Sequence, residues 1–286
     1  MMLLALALAL APSIQEPTPE TPVERIEAWP VLAGQEKKQV QLEVDKLRKA
    51  RTEEMAADAE AALVGGSAGA MPLLLLAYAK EKDDDARARV AAVMERMTDA
   101  RHTRALALDF ENKERGVRTW CLRRAAAFPD AGLREPAAAA LAAVARAGDK
   151  ADPEERYAAA LCSVSTGAPE GLDVLREWAE GEWPERGAEM LTALRAARGP
   201  AATERLVADL AGERKQLVAG LRLLSAAGDD SAVPAVAAYL DSDDNQLRVA
   251  AINALRGIVD GEGPMENLSV FRAIEIARTW KQRLGR

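Results

Sequence analysis

The chain has 286 residues, of which 49% are hydrophobic and 29% charged, so it holds enough apolar material for a large buried core and is unlike a disordered protein. Aromatic residues make up only 4%, and runs rich in Val, Ile, Thr and Tyr are missing, which predicts an all-α fold with a core of Ala, Leu and Val. The formal net charge of −7 opposes binding to nucleic acid phosphates, and no nucleic-acid partner is expected.

The first 13 residues are predicted to be a secretory signal peptide. Residues 1–11, MMLLALALALA, are too few for the roughly 20 residues of a membrane-spanning helix, but they suit the apolar region of such a signal. Ala11 and Ser13 provide the small residues for cleavage after position 13. The match is partial, since no Lys or Arg precedes the apolar run. The sequence therefore favours a secreted or periplasmic protein without a membrane span, with a cytoplasmic protein as the alternative.

Residues 14–28 are predicted to be a disordered linker, because the IQEPTPETPVE at its start alternates Pro with Glu and Thr. Residues 29–69 are expected to form an N-terminal helical hairpin. Its two apolar stripes follow helical spacing: Val40, Val44 and Leu47 on one, and Met55, Ala59 and Leu63 on the other. A hairpin in this position would cover the open end of a helical stack.

Prolines mark a repeat of about 32 residues within 70–260. Five of them each open an Ala- and Leu-rich helical stretch, where a missing N–H does no harm: Pro72, Pro136, Pro169, Pro200 and Pro234. The one skipped position falls near Thr103. Six units follow, at about 70–99, 101–128, 132–166, 169–198, 200–228 and 232–260. One helical pair cannot bury its apolar stripe alone, so the period predicts a stack of pairs, an α-solenoid.

The sixth unit resembles a HEAT repeat. Its matching features are Pro234 in the first helix, Asp244 at the turn, the pair Leu247-Arg248, and Ala250, Ala251, Ala254 and Leu255 in the second helix. The first unit is similar, with Pro72, Asp85, Ala88-Arg89 and Ala91-Ala92. HEAT-like repeats, in the broad sense that includes those of phycobilin lyases, imply a curved stack whose second helices line a concave surface that binds other macromolecules.

The C-terminal part of the chain, residues 261–286, is predicted to hold one helix from about Ser269 to Leu284. It carries apolar residues at helical spacing, with Arg and Lys between them: Phe271, Ile274, Ala277 and Trp280. The last layer of a solenoid must be covered, so this helix is expected to be a cap.

One stretch of the sixth unit looks like a calcium-binding loop. Asp241, Asp243 and Asn245 stand at alternate positions, but the sixth and twelfth positions hold Gln246 and Ile252 instead of Gly and a bidentate Glu. We therefore expect a helix here, capped by one of the acidic residues, and no metal site. No cofactor is expected either.

Residues 65–69, GGSAG, match the G-x-S-x-G pattern of hydrolase nucleophiles, and the sole histidine, His102, lies downstream. That pattern requires a strand before the serine, whereas the preceding AADAEAALV is helical. We expect an inter-helix loop without catalytic residues. A single imidazole also excludes a histidine-based metal cluster.

Two further patterns leave alternatives open. Cys121 and Cys162 fall in second helices of adjacent units, where an exported protein could form a disulfide, but the usual helix separation of about 8–10 Å favours two buried thiols. Trp178 and Trp183 lie among glutamates in REWAEGEWPERG, residues 176–187, and could grip a cationic ligand. Filling of the core is the favoured interpretation, because it is the commoner role of Trp at helical spacing.

The sequence thus predicts an α-solenoid of about six HEAT-like hairpins with capping helices at both ends. On the resemblance we expect a non-catalytic scaffold, not an enzyme, that binds a protein or peptide partner on its concave face. The alternative is a bilin-lyase-like enzyme or a chromophore-binding protein.

Overall fold

The structure, a computed structural model, describes residues 24–285, and every regular element in that range is helical. The α-helices are α1 (Gly34–Lys49), α2 (Glu53–Val64), α3 (Met71–Lys80), α4 (Asp84–Met97), α5 (Thr103–Ala107), α6 (Arg115–Ala126), α7 (Arg134–Ala147), α8 (Pro153–Ser165), α9 (Leu172–Gly181), α10 (Trp183–Leu194), α11 (Pro200–Ala208), α12 (Arg214–Ala227), α13 (Val233–Ala237), α14 (Asn245–Leu255) and α15 (Val270–Arg283). The predicted all-α fold is confirmed.

Helices α3 to α14 form six pairs, in which an odd-numbered first helix packs on the even-numbered second helix that follows it. The second helices α6, α8, α10, α12 and α14 also pack one against the next. At the N-terminal end α1 and α2 pack on α4, and at the C-terminal end α15 packs on α14. This is the predicted HEAT-like solenoid of six hairpins with a cap at each end.

A capping turn recurs where four of the units begin. The side chains of Ser67, Asp99, Asp130 and Asp229 each accept a hydrogen bond from the backbone N–H two residues on, at 2.9–3.1 Å, and so open a short 3₁₀ turn ahead of the first helix. Ser67, the serine of the GGSAG sequence, is therefore the counterpart of the three aspartates in later units.

An arginine in the second helix stabilises the turn inside several units. Arg87, Arg118 and Arg248 each donate to the carbonyl oxygen six residues earlier, at 3.2, 2.7 and 2.5 Å. The HEAT resemblance matches Arg89 of the first unit to Arg248, but Arg87 makes the equivalent contact. Arg89 instead reaches α1, where it donates to the carbonyl of Leu47 at 3.3 Å. The match fails because it is displaced by two residues.

The second helix of the third unit is enclosed by its neighbours. All residues of α8 from Tyr157 onward are buried, since α6, α7, α9 and α10 pack around it. Helices can approach so closely only where side chains are small, which explains the consecutive alanines 158–160. Likewise, Gly257 lies so near the carbonyl of Ser225 that an added Cβ would overlap it.

Residues 24–33, here named the strap, cross the beginnings of the first three units. Arg25 forms an ion pair with Asp130 of the third unit at 2.7 Å. In the second unit, the N–H of Ile26 donates to the carbonyl of Arg101 at 2.8 Å, and Trp29 stacks on His102 with ring centroids 5.7 Å apart. Specific partners therefore hold Arg25 and Ile26, which fall within the predicted linker, while residues 14–23 of that linker lie outside the described residues. The predicted signal peptide lies outside the described residues.

Among residues 24–285, no single helix combines the length and apolar character needed to cross a membrane, although the bent pair Glu53–Val64 and Ala68–Lys80 passes that test by length and composition when taken together.

The strap leads to a prediction about stability. Asp130 is buried and accepts hydrogen bonds from Thr103 and Gly132 at 2.9 Å in addition to its ion pair with Arg25. Arg25→Ala removes the cation paired with a buried carboxylate and is expected to lower the free energy of unfolding by about 1–3 kcal/mol. Urea denaturation followed by circular dichroism measures the change. Arg272→Ala, which removes an exposed i,i+3 pair with Glu275, is the control and should change it by less than about 0.5 kcal/mol. Equal losses in both variants would contradict the role of the strap.

Candidate functional site

A groove beside α7 arises because neighbouring first helices differ in length. In the second unit α5 ends at Ala107 and turns continue to Glu111, which is 12 residues after the cap Asp99. In the third unit α7 ends at Ala147 and a 3₁₀ turn continues to Lys150, about two helical turns further from its cap Asp130. The C-terminal half of α7 therefore has no first-helix neighbour on the side of the second unit. The space beside it, here named the α6–α7 groove, has a volume of about 560 Å³.

The floor of the α6–α7 groove is apolar and is formed largely by small side chains. Ala139, Ala143 and Ala147 follow one another at four-residue steps along α7 and are exposed. Phe110 and Leu122 of the second unit complete the floor. Because alanine ends at its Cβ, this surface allows close approach and offers no side-chain hydrogen-bond donor of its own.

Charged side chains surround the floor. Two ion pairs close the side next to α8: Arg118 with Glu155 through two contacts of 2.6 and 3.1 Å, and Arg115 with Asp152 at 3.2 Å. Three further charges are exposed and form no ion pair within residues 24–285: Arg146 and Lys150 on the wall of the third unit and Glu111 on the wall of the second. The groove thus presents two unpaired cations on one wall and one carboxylate on the other.

A smaller cavity, of about 310 Å³, lies where the first two units meet. It is lined by Gly66 and Ala68 of the GGSAG loop and by Asp99 and His102. A carboxylate oxygen of Asp99 lies 2.9 Å from Nδ1 of His102, and hydrogen bonds from Arg101 lower the pKa of Asp99 to about 2. Ser67 is occupied as a cap and, among the described residues, shares no hydrogen bond with His102. The fold therefore brings the loop and the histidine to one cavity without linking serine to imidazole.

The aromatic residues of residues 176–187 are covered by the chain's own arginines. The guanidinium of Arg186 lies 4.6 Å from the ring centroid of Trp178 and 4.7 Å from that of Tyr157, and Arg222 lies 5.1 Å from that of Trp183. Both tryptophans also pack against the hydrophobic core. These rings fill the interior, the interpretation that the sequence favoured over a cationic ligand.

An ion pair bridges α6 and α10 across α8. Glu189 of α10 accepts from Arg123 of α6 at 2.5 and 2.8 Å, and it also accepts from the hydroxyl of Tyr157 at 3.1 Å. At the centre of the stack, the second helices therefore present charges that are already paired with each other.

Cys121 and Cys162 are free thiols in this structure, and both are buried. Burial raises the pKa of Cys162 to about 12 and that of Cys121 well above its usual value. Since the thiolate is the reactive form, neither group is poised for nucleophilic or redox chemistry.

In the stretch that looks like a calcium loop, Asp244 caps α14, accepting from the N–H of Gln246 at 2.7 Å and that of Leu247 at 3.3 Å. It also pairs with Arg214. Within the part of the chain that the structure describes, no group of three or more His, Cys, Asp or Glu is arranged to hold a metal ion.

The sequence matches no protein family model and no curated protein. Among solved structures, that of human deoxyhypusine hydroxylase in complex with glycerol is similar to the chain, with a TM-score of 0.33 and 19% sequence identity, over 86% of this chain and 97% of that one.

This finding corrects one expectation. The sequence predicts that the chain is not an enzyme, largely because a repeat array usually offers surface and not reactivity. The similar protein is by its name a hydroxylase and hence an enzyme, which contradicts the prediction.

Sequence reasoning missed the α6–α7 groove. A signal for it was present, because the Ala-rich stretch from Arg134 to Ala147 is much longer than its counterpart after Thr103. The unpaired charges at its rim could not be found in this way, since pairing depends on which side chains the fold brings together.

The tyrosines predict how stability depends on pH. Burial raises the pKa of all three, Tyr78, Tyr157 and Tyr239, and the carboxylate of Glu189 adds to the effect at Tyr157. The folded state holds the phenol protons more tightly than the unfolded state, whose tyrosines titrate near pH ~10. The free energy of unfolding therefore keeps its full value below pH ~10 and falls as the pH rises above it. In an alkaline titration, phenolate absorbance is expected to lag behind that of free tyrosine and to appear together with the loss of helical circular dichroism. Tyr157→Phe should lose stability less steeply above pH ~10. Early titration of all three phenols in a fully helical protein would contradict this.

Proposed function

We propose that the chain binds a protein partner in the α6–α7 groove. The observation that carries the proposal is the gap left by the short first helix of the second unit, which exposes apolar floor beside α7. Apolar area surrounded by unpaired charges is typical of a surface that a partner covers.

The other surfaces support the choice of this groove. On the second-helix face the charges of Arg123 and Glu189 are already paired with each other, and the aromatic rings nearby are covered by arginines. The groove instead combines an exposed apolar floor with Arg146 and Lys150, two cations without an ion pair among residues 24–285. A partner in this position would bury the floor and neutralise the cations.

A photo-crosslinking experiment tests the proposal. p-Benzoylphenylalanine at Ala143, on the groove floor, is expected to form one discrete adduct with a partner in the cells that produce the protein. The same residue at Ala138, on α7 but away from the groove, and at Ala201, exposed on α11, should not form it.

A second change separates groove binding from chance contact. Ala139→Arg fills the floor next to Ala143 and should abolish the adduct while leaving the helical circular dichroism unchanged, because position 139 is exposed. Adducts of equal yield at all three positions, or an adduct that survives Ala139→Arg, would exclude the groove. If no protein adduct forms but a bilin changes colour on binding, the chromophore-binding alternative gains support.

We also propose that the protein acts outside the cytoplasm. The support is the apolar run at residues 1–11 and the small residues before position 14. The intact mass of the protein isolated from its source is expected to match a chain that begins at Ile14. A mass that includes residues 1–13 would argue for the cytoplasmic alternative.

A further inference from the structure

We infer that the element of the partner that occupies the α6–α7 groove is an α-helix with carboxylates along one flank. This inference rests on the proposed function and adds the chemistry of the partner.

The backbone argument favours a helix over an extended peptide. A strand-like peptide leaves its N–H and C=O groups in need of partners, and it usually finds them on a sheet edge. The described residues contain no strand, and the alanine floor of α7 offers neither donors nor acceptors from its side chains. A helix satisfies its own backbone hydrogen bonds and brings only side chains to the floor.

The shape of the floor also suits a helix. Ala139, Ala143 and Ala147 form a ridge at four-residue spacing, the kind of ridge that packs into the groove of a facing helix. Their small size permits axes to approach to about 8 Å, the short end of the usual range. The second unit lacks about two helical turns beside α7, so an incoming helix would replace the missing part of the first-helix layer.

The charges on the two walls of the groove predict which charges the two flanks of the partner helix carry. Arg146 lies in the last turn of α7 and Lys150 in the 3₁₀ turn that follows, and both line one wall of the groove. Glu or Asp side chains along one flank of the partner could therefore meet both of them. Glu111, on the opposite wall, favours a neutral or basic flank there. The residues Arg115 and Arg118 are already paired with Asp152 and Glu155 and do not select the partner.

Three fluorescein-labelled peptides of 18 residues test the inference by fluorescence anisotropy. The first is a helix with an alanine stripe, two Glu residues four apart on one flank, and Gln elsewhere. The second replaces the two Glu by Lys, and the third keeps the Glu but has two central prolines that break the helix. The first peptide is expected to bind roughly fivefold to tenfold more tightly than the second at low salt, and the third should lose binding.

Charge reversal in the protein supplies the matched control. Arg146→Glu combined with Lys150→Glu should invert the preference between the first two peptides, and Arg146→Gln combined with Lys150→Gln should abolish it. Native helical circular dichroism is checked first; both side chains are exposed, and the Gln variant serves if the Glu variant does not fold.

Three outcomes would overturn the inference: equal binding of the proline peptide, a preference that the charge reversal leaves unchanged, or no binding of the first peptide at about millimolar concentration. These results are distinct from a failure of the proposed function. Crosslinking at Ala143 without peptide binding would support the proposed function but exclude an acidic helix as the bound element. The expected peptide results without crosslinking in cells would show that the groove can bind such a helix but would not support a protein partner in the cell.

Discussion

Close packing of the second helices is the constraint on which the rest of this structure depends. Helix α8 is surrounded by four helices and is built from alanine and other small residues at the places of contact. Such packing brings the pairs near enough to bury each other's apolar stripes, which no single pair could do. It also leaves little room for charge inside the stack, so most charged side chains lie at its edges.

At those edges, ion pairs repeat with the period of the fold. Arg186 pairs with Glu154 and Arg205 with Asp173, each across 32 residues, and Arg214 pairs with Asp244 across 30. Equivalent positions of neighbouring units therefore face each other, and the pairs help to fix their register. Single exposed pairs of this kind contribute little to stability, about 1 kcal/mol or less, so burial of apolar surface remains the main stabilising interaction.

The architecture could be predicted from the sequence because it is periodic. Prolines such as Pro72 and Pro234 open first helices, and apolar residues recur at helical spacing, so local patterns agree with the fold. The features that it did not reveal are aperiodic. The contact of Arg25 with Asp130 joins residues far apart in the sequence, as does the bridge from Arg123 to Glu189. Such pairs have no local signal, and neither does a cation such as Arg146 that remains unpaired.

The candidate site arises where periodicity breaks down in the third unit, and the two ends of α7 differ accordingly. At its start, the strap and the buried Asp130 hold the helix in place, while its last turns extend beyond the first helix of the second unit. If the proposed partner binds in the groove, a helix fixed at one end would help to keep the groove in shape and so reduce the entropy lost on binding. The strap would then act on the start of α7 without lining the groove itself.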